Sequence, residues 1–229
     1  MRAFVKRIPV VGPIAQSMYR WLMPREQPSF ANTGDYWQQR YTRGGNSGDG
    51  SYGKLAEFKA EILNAAVEEF GSASVIEFGC GDGNQLTLAN YPAYTGIDIS
   101  ATAVGLCRER FAGDASKRFM ALGDYVGEHA DLALSLDVIY HLVEDGVYDA
   151  YLERLFSAAQ RHVIIYSSNF ERPATAQAPH VRHREFLRTI QQRYPEWALE
   201  RHIANRYPFR EEDGSGSTAD FFFFAKRVQ

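Results

Sequence analysis

The chain is poor in sulfur and has no long apolar stretch. Its two cysteines, Cys80 and Cys107, among 229 residues offer neither a disulfide framework nor metal-ligand spacing, so reduced thiols in a cytoplasmic setting are the simple reading and no metal is expected. No run of about 18 apolar residues occurs, which leaves no candidate membrane-spanning helix. Charge of one sign is lacking too: the formal net charge of −3 is not the basic footprint of a nucleic-acid binder. A secretory signal would need a longer apolar core and a small-residue cleavage site, and neither stands at the start. What is present is ordinary for a globular domain, with 45% hydrophobic and 23% charged residues, enough to bury one sizeable core.

Within the first 25 residues, Arg2, Lys6, Arg7, Arg20 and Arg25 are interleaved with Val10, Val11, Ile14, Met18, Trp21 and Leu22. Two readings stand: an arm that packs on the domain, or a basic amphipathic segment resting on the inner, anionic membrane face. Pro9 and Pro13 interrupt the front half and favour the arm. Residues 31–53 hold the run Gly44-Gly45-Asn46-Ser47-Gly48-Asp49-Gly50-Ser51-Tyr52-Gly53 and read as too glycine-rich for a helix or a strand interior. That leaves a linker or a loop closing over a ligand, and Tyr36, Trp37, Arg40 and Tyr41 just before it favour the loop.

From Leu55 the pattern becomes helical through Phe70, with Gly71 as its stop. Short strands follow at Val75–Phe78, Tyr94–Ile99, Phe119–Leu122, Asp131–Leu136 and Val163–Ser167, with helices after Ser100, around Val147–Phe156 and around Phe186–Tyr194. Trp197–Ile203 and Ala219–Ala225 lack a helix between them and are expected to pair antiparallel. The alternation predicts an α/β fold, a doubly wound seven-stranded and mostly parallel sheet with helices on both faces. The expected division is an N-terminal extension over 1–54 and one domain over 55–229.

The segment Val75-Ile76-Glu77-Phe78-Gly79-Cys80-Gly81-Asp82-Gly83-Asn84 is the most informative. A strand that ends in glycines and enters a helix leaves backbone N–H groups at a ligand crevice. Asn84 stands where a dinucleotide fingerprint wants its third glycine. Glu77 at the strand mouth would repel a pyrophosphate and suits a ligand bearing an ammonium and a sulfonium.

Glu77 through Gly83 resembles the first motif of class I methyltransferases, which bind S-adenosylmethionine in a Rossmann-like fold. The resemblance implies that Gly79, Cys80, Gly81 and Gly83 lie against the methionine part of that cofactor and that Glu77 helps place its amino group. Asp98, beside Ile99 at the end of the second strand, matches the family's acid for the ribose hydroxyls. Asp124 and Tyr125, after the third strand, match the adenine end. Leu134-Ser135-Leu136-Asp137-Val138-Ile139-Tyr140-His141 matches the fourth strand and the turn facing the transferred methyl, with Asp137 as a cofactor contact. The likeness spans roughly residues 55–226, with four motifs in the family's order. A narrower resemblance, through Tyr36-Trp37, Arg40-Tyr41, the Gly44–Tyr52 run and Phe58-Lys59, is to methyltransferases encoded near bacterial surface-polysaccharide genes, and it makes Tyr52 a further cofactor contact.

Methyl transfer is an in-line displacement that needs alignment and, for a hydroxyl acceptor, a base. Residues beyond strands four and five are the candidates: His141 first, with Tyr140 beside it, and His183 second. Arg172, Arg182 and Arg184 near the same mouth suit an acidic acceptor, or form a solvated basic face. The expected activity is O-methylation of a sugar, glycan or other polar small molecule. Two other readings remain open, a nicotinamide-linked oxidoreductase and a cofactor-binding regulatory module without turnover.

Overall fold

A computed structural model describes residues 29–227. The basic segment at the start, with its alternative readings as arm or membrane contact, lies outside the described residues. Seven strands form one sheet in the order β3-β2-β1-β4-β5-β7-β6: β1 is Val75–Phe78, β2 Tyr94–Asp98, β3 Lys117–Ala121, β4 Ala130–Leu136, β5 Ala159–Ser167, β6 Trp197–Ile203 and β7 Asp220–Lys226. Strands β1 to β5 run parallel, and β7 lies antiparallel between β5 and β6. The expected doubly wound sheet and its antiparallel C-terminal pair are both present.

The helices are α1 (Thr33–Thr42), α2 (Gly53–Glu69), α3 (Ala101–Arg110), α4 (Asp145–Ala158) and α5 (Phe186–Arg193). Two expectations need correction. Residues 31–53 are not free of helix, because α1 fills the front of that segment. Its single glycine, Gly34, precedes a run of good helix positions, and Asn32 caps it by accepting from the Asp35 N–H at 2.8 Å. The glycines that dominate the composition all follow Arg43. The second correction concerns the chain after β1. It enters only a short 3-10 turn, Gln85–Leu88, rather than a full helix.

The run Phe221-Phe222-Phe223-Phe224 shows how the core is built. Successive side chains on a strand point to opposite faces. Accordingly Phe222 and Phe224 join the apolar cluster under α4 and α5, while Phe221 and Phe223 join the cluster under α2. A strand covered on both faces reads as continuous apolar sequence. Burial of each such ring contributes on the order of 1.5–3 kcal/mol.

The chain steps outward from β1 through β2 to β3, then crosses back to β4 on the other side of β1, so the order reverses between β1 and β4. Ligands of open α/β sheets bind at such a reversal, beyond the carboxyl ends of the strands. The turns after β1, β2 and β4 all converge there.

Candidate active site

A cavity opens at the reversal, with about 980 Å³ of empty space when its open mouth is counted. The glycine turn forms its floor. Gly79 N–H and Cys80 N–H both donate to the Ile97 carbonyl, at 2.7 and 3.1 Å. Gly79 (φ 89°) and Gly81 (φ 57°) both adopt left-handed backbone, and a Cβ at either would collide, with Val138 or with the Ser47 hydroxyl. The turn is therefore a close-fitting cradle that only glycine completes.

Asp98 braces this cradle. Its Oδ2 accepts from Gly81 N–H at 2.9 Å and its Oδ1 from Ser100 N–H at 2.8 Å. Ser100, not Asp98, caps α3. Glu77 accepts from the Tyr94 hydroxyl at 2.6 Å. Both carboxyls are buried yet line the cavity. Desolvation raises Glu77 to about 7, against the opposing pull of Tyr94 and Lys59, and raises Asp98 to about 6, against its two backbone donors. Two desolvated acids beside an apolar cavity favour a ligand carrying positive charge and hydroxyl donors. A sulfonium nucleoside with an amino-acid tail fits that donor and acceptor pattern.

The fourth-strand turn supplies the opposite wall. Asp137 has φ 59°, uncommon for a residue with a side chain and a mark of strained functional turns. Its Oδ2 pairs with Lys59 Nζ at 2.6 Å and its Oδ1 accepts from the Tyr140 hydroxyl at 2.8 Å. His141 closes a 3-10 turn, and its Nδ1 lies 3.0 Å from the His180 carbonyl. A carbonyl only accepts, so Nδ1 carries the proton and Nε2 keeps its lone pair. Burial pulls His141 down to about 4, and the ring stays neutral at neutral pH.

The segment before α2 forms the roof. Trp37, Tyr41, Ser47 and Ser51 face the cavity. Asp82 holds this roof to the floor: its Oδ2 accepts from Ser47 N–H at 3.1 Å and the Tyr52 hydroxyl at 2.7 Å, while Asp82 N–H donates to Ser47 Oγ at 2.9 Å. Thr33 is tied to Glu144, and Gln38 to Ser100 and Thr102.

Rings continue outward from His141. Trp37 meets it edge-on with centroids 4.9 Å apart, His180 stacks at 5.6 Å, and Tyr36 stacks on His180 at 4.4 Å. Tyr140 lies between His141 and His183, which in turn stacks on Phe170.

Of the residues singled out in the sequence, Glu77, Gly79, Cys80 and Gly81 share the cavity wall with Asp98, Ile99, Asp137 and His141. The others stand apart from it. Gly83 packs on Cys107 and Phe111. Tyr52 spends its hydroxyl on Asp82. Asp124 is exposed in the turn after β3, and Tyr125 packs edge-on against Phe78. Tyr140 is occupied by Asp137, and His183 bonds Ser168 Oγ at 2.6 Å. Arg182 and Arg184 share the single carboxylate of Asp145 and donate to the Val143 carbonyl, so part of the expected positive mouth is offset. Sequence reasoning gave no role to Lys59, Asp82 or Ser47. A lysine four places after Leu55 in an amphipathic pattern, directly following Phe58, was the available signal for the first.

The sequence model of a methyltransferase domain matches residues 52–211, well over half of the chain. No curated protein matches it in sequence. Among solved structures, the N-methyltransferase NodS from Bradyrhizobium japonicum WM9, in complex with S-adenosylhomocysteine, is 16% identical with a TM-score of 0.65, covering 86% of this chain and 100% of that one. Magnesium protoporphyrin IX methyltransferase from Synechocystis PCC 6803, with bound S-adenosylmethionine, is 18% identical with a TM-score of 0.55, covering 93% and 92%. The methyltransferase domain of a bacterial Hen1 is 19% identical with a TM-score of 0.56, covering 74% and 97%. At these identities the likeness is one of fold. The matched domain decides against the nicotinamide-linked reading: the chain belongs to the methyltransferase-domain family, with S-adenosylmethionine as the cofactor that this membership brings.

Proposed function

We propose that the protein methylates a hydroxyl of a sugar, glycan or similarly polar small molecule, with His141 as the residue that receives the proton. The cofactor when bound supplies an electrophilic methyl group. The observation that carries the reading is His141 on the cavity wall, held neutral by burial and by a carbonyl on Nδ1, so that Nε2 is free to accept. A base within reach of the acceptor contributes about 10²–10⁴-fold in rate.

In this reading Gly79 and Gly81 shape the floor, and Glu77 and Asp98 receive the ammonium and ribose hydroxyls. Trp37, on the cavity wall beside His141, supplies a flat face for a ring-shaped acceptor, while Tyr36 and His180 stack on each other outside the cavity and help exclude water. The commitment of Arg182 and Arg184 to Asp145 means that an acidic acceptor is not required. The polysaccharide setting rests on the likeness of Tyr36-Trp37, Arg40-Tyr41 and the glycine run, now seen beside the cavity. Among the described residues no helix is long and apolar enough to cross a membrane. A cytoplasmic enzyme is the setting we favour, with the basic start read first as an arm on the domain and second as a contact with the inner membrane face.

Methyl transfer from labelled S-adenosylmethionine to a panel of sugars and glycans tests the reading. Wild type should label at least one hydroxyl acceptor, and His141→Gln should lower that rate by about 10²-fold or more. Undiminished transfer in the variant removes His141 as base, and labelling only of amines removes the hydroxyl acceptor.

A further inference from the structure

One buried charge has no part in the reading above. Lys59 projects from α2 into the cavity wall, with only 1% of its surface exposed. An ammonium carries three N–H donors. Asp137 takes one, at 2.6 Å, and the ring of Tyr166 lies 5.2 Å from Nζ. Asp137 is itself fixed from the other side by Tyr140. Gly50 of the roof passes so close that a Cβ there would stand 2.7 Å from Asp137 Oδ2, so backbone covers this end of the cavity.

Burying an ion pair costs several kcal/mol per ion in desolvation, and apolar residues of similar volume often serve stability as well. A lysine here is therefore poorly explained by packing alone. Its charge also reaches Glu77, whose carboxyl it favours in the ionised form. One end of the cavity thus presents a cation and an acid together, the pattern that complements the two ends of a zwitterionic amino acid.

We propose that Lys59 receives the carboxylate of the cofactor's methionine end, opposite Glu77, which receives the ammonium. The proposal rests on the cofactor reading above. Asp137 and Tyr140 act as positioning residues: they hold Nζ in place through one donor and leave the others for the ligand. No bond is made or broken by Lys59; its contribution is charge-assisted hydrogen bonding in a place shielded from water.

Calorimetry on the full chain with S-adenosylmethionine and decarboxylated S-adenosylmethionine tests this, because the two differ only in that carboxylate. Wild type should bind the carboxylate-bearing form about 10- to 100-fold more tightly, the size of a charged hydrogen bond. The Lys59→Met/Asp137→Asn pair removes both charges together, so no orphaned ion remains; it should bind both ligands alike. Glu77→Gln should weaken both and keep the ratio. A wild type that does not discriminate, or a double variant that still does, overturns the proposal while leaving the cofactor reading intact. Absence of binding by S-adenosylmethionine and S-adenosylhomocysteine overturns both. Should the double variant not fold, Lys59→Gln carries the same comparison, and a ratio as large as that of wild type overturns the proposal.

Discussion

Glu77 sits at the end of β1 with its carboxyl raised to about 7 by burial, so near neutral pH it is shared between the protonated and ionised forms. An ammonium arriving beside it favours the ionised form and expels the proton. Titrations of S-adenosylmethionine at pH 6.5, in buffers of different ionisation enthalpy, should show proton release on binding, and Glu77→Gln should abolish the Glu77 share of it. His141 behaves in the opposite sense. Its value of about 4 predicts that the acid limb of kcat, read with S-adenosylmethionine saturating so that Glu77 and Asp98 are already engaged, lies well below the ordinary histidine range, measurable as activity retained down to about pH 5. A limb near 6.5 would show that another group is the base. Glu77 was legible in the sequence because it stands just before the glycine turn, and Asp98 because it ends the second strand where the resembled family carries an acid. Lys59 was not. It meets Asp137, 78 positions further along, which Tyr140 holds in turn, and no local pattern reports such a meeting.

At the scale of elements, the covering segment is the feature that composition concealed. Averaging over 31–53 blurs a capped helix into the glycine run behind it, whereas the Asn32 cap and the Asp35 charge in the first turn mark the helix start once the two halves are separated. The reciprocal bonds between Ser47 and Asp82 tie that segment to the glycine turn. Asp82→Asn weakens the acceptor for Ser47 N–H and the Tyr52 hydroxyl. Amide hydrogen exchange over 45–52 should accelerate about 10-fold or more in that variant, as one or two hydrogen bonds of about 1 kcal/mol each are loosened, with the strands unaffected. Equal exchange in both proteins would mean that the roof is held by α1 alone. Gly81→Ala should be worse for the fold, since the added methyl meets Ser47 and the backbone is left-handed there; a loss of about 1–3 kcal/mol in denaturant unfolding is expected.

For the whole molecule, the two raised acids couple stability to pH. Glu77 and Asp98 hold protons more tightly folded than unfolded, from ordinary values of 4.5 and 3.8 to about 7 and about 6. Their contribution is whole below the unfolded values and is lost as pH rises through 6 and 7. His141, depressed from 6.5 to about 4, contributes above 6.5 and loses that contribution as pH falls toward 4. Thermal unfolding of Glu77→Gln should therefore decline less between pH 5 and 8 than wild type does, and ligand should stabilise wild type increasingly across the same range. A parallel pH profile for the two proteins would place the linkage elsewhere. The sheet itself was the most legible part of the sequence, because strands covered on both faces, such as Phe221–Phe224, need no tertiary information to be recognised. The absent helix after β1 was not: the glycine turn suggested one from the habit of such turns, and the chain closes that crossover with a single 3-10 turn.

Because Ser47 lies over Gly81 and is clasped to Asp82, any guest beneath it is trapped behind a short strap of its own host. Its residence time then depends on how often that strap lifts as well as on how strongly the floor grips. Spent cofactor would leave and fresh cofactor enter through the same opening, and weakening the clasp would quicken both steps.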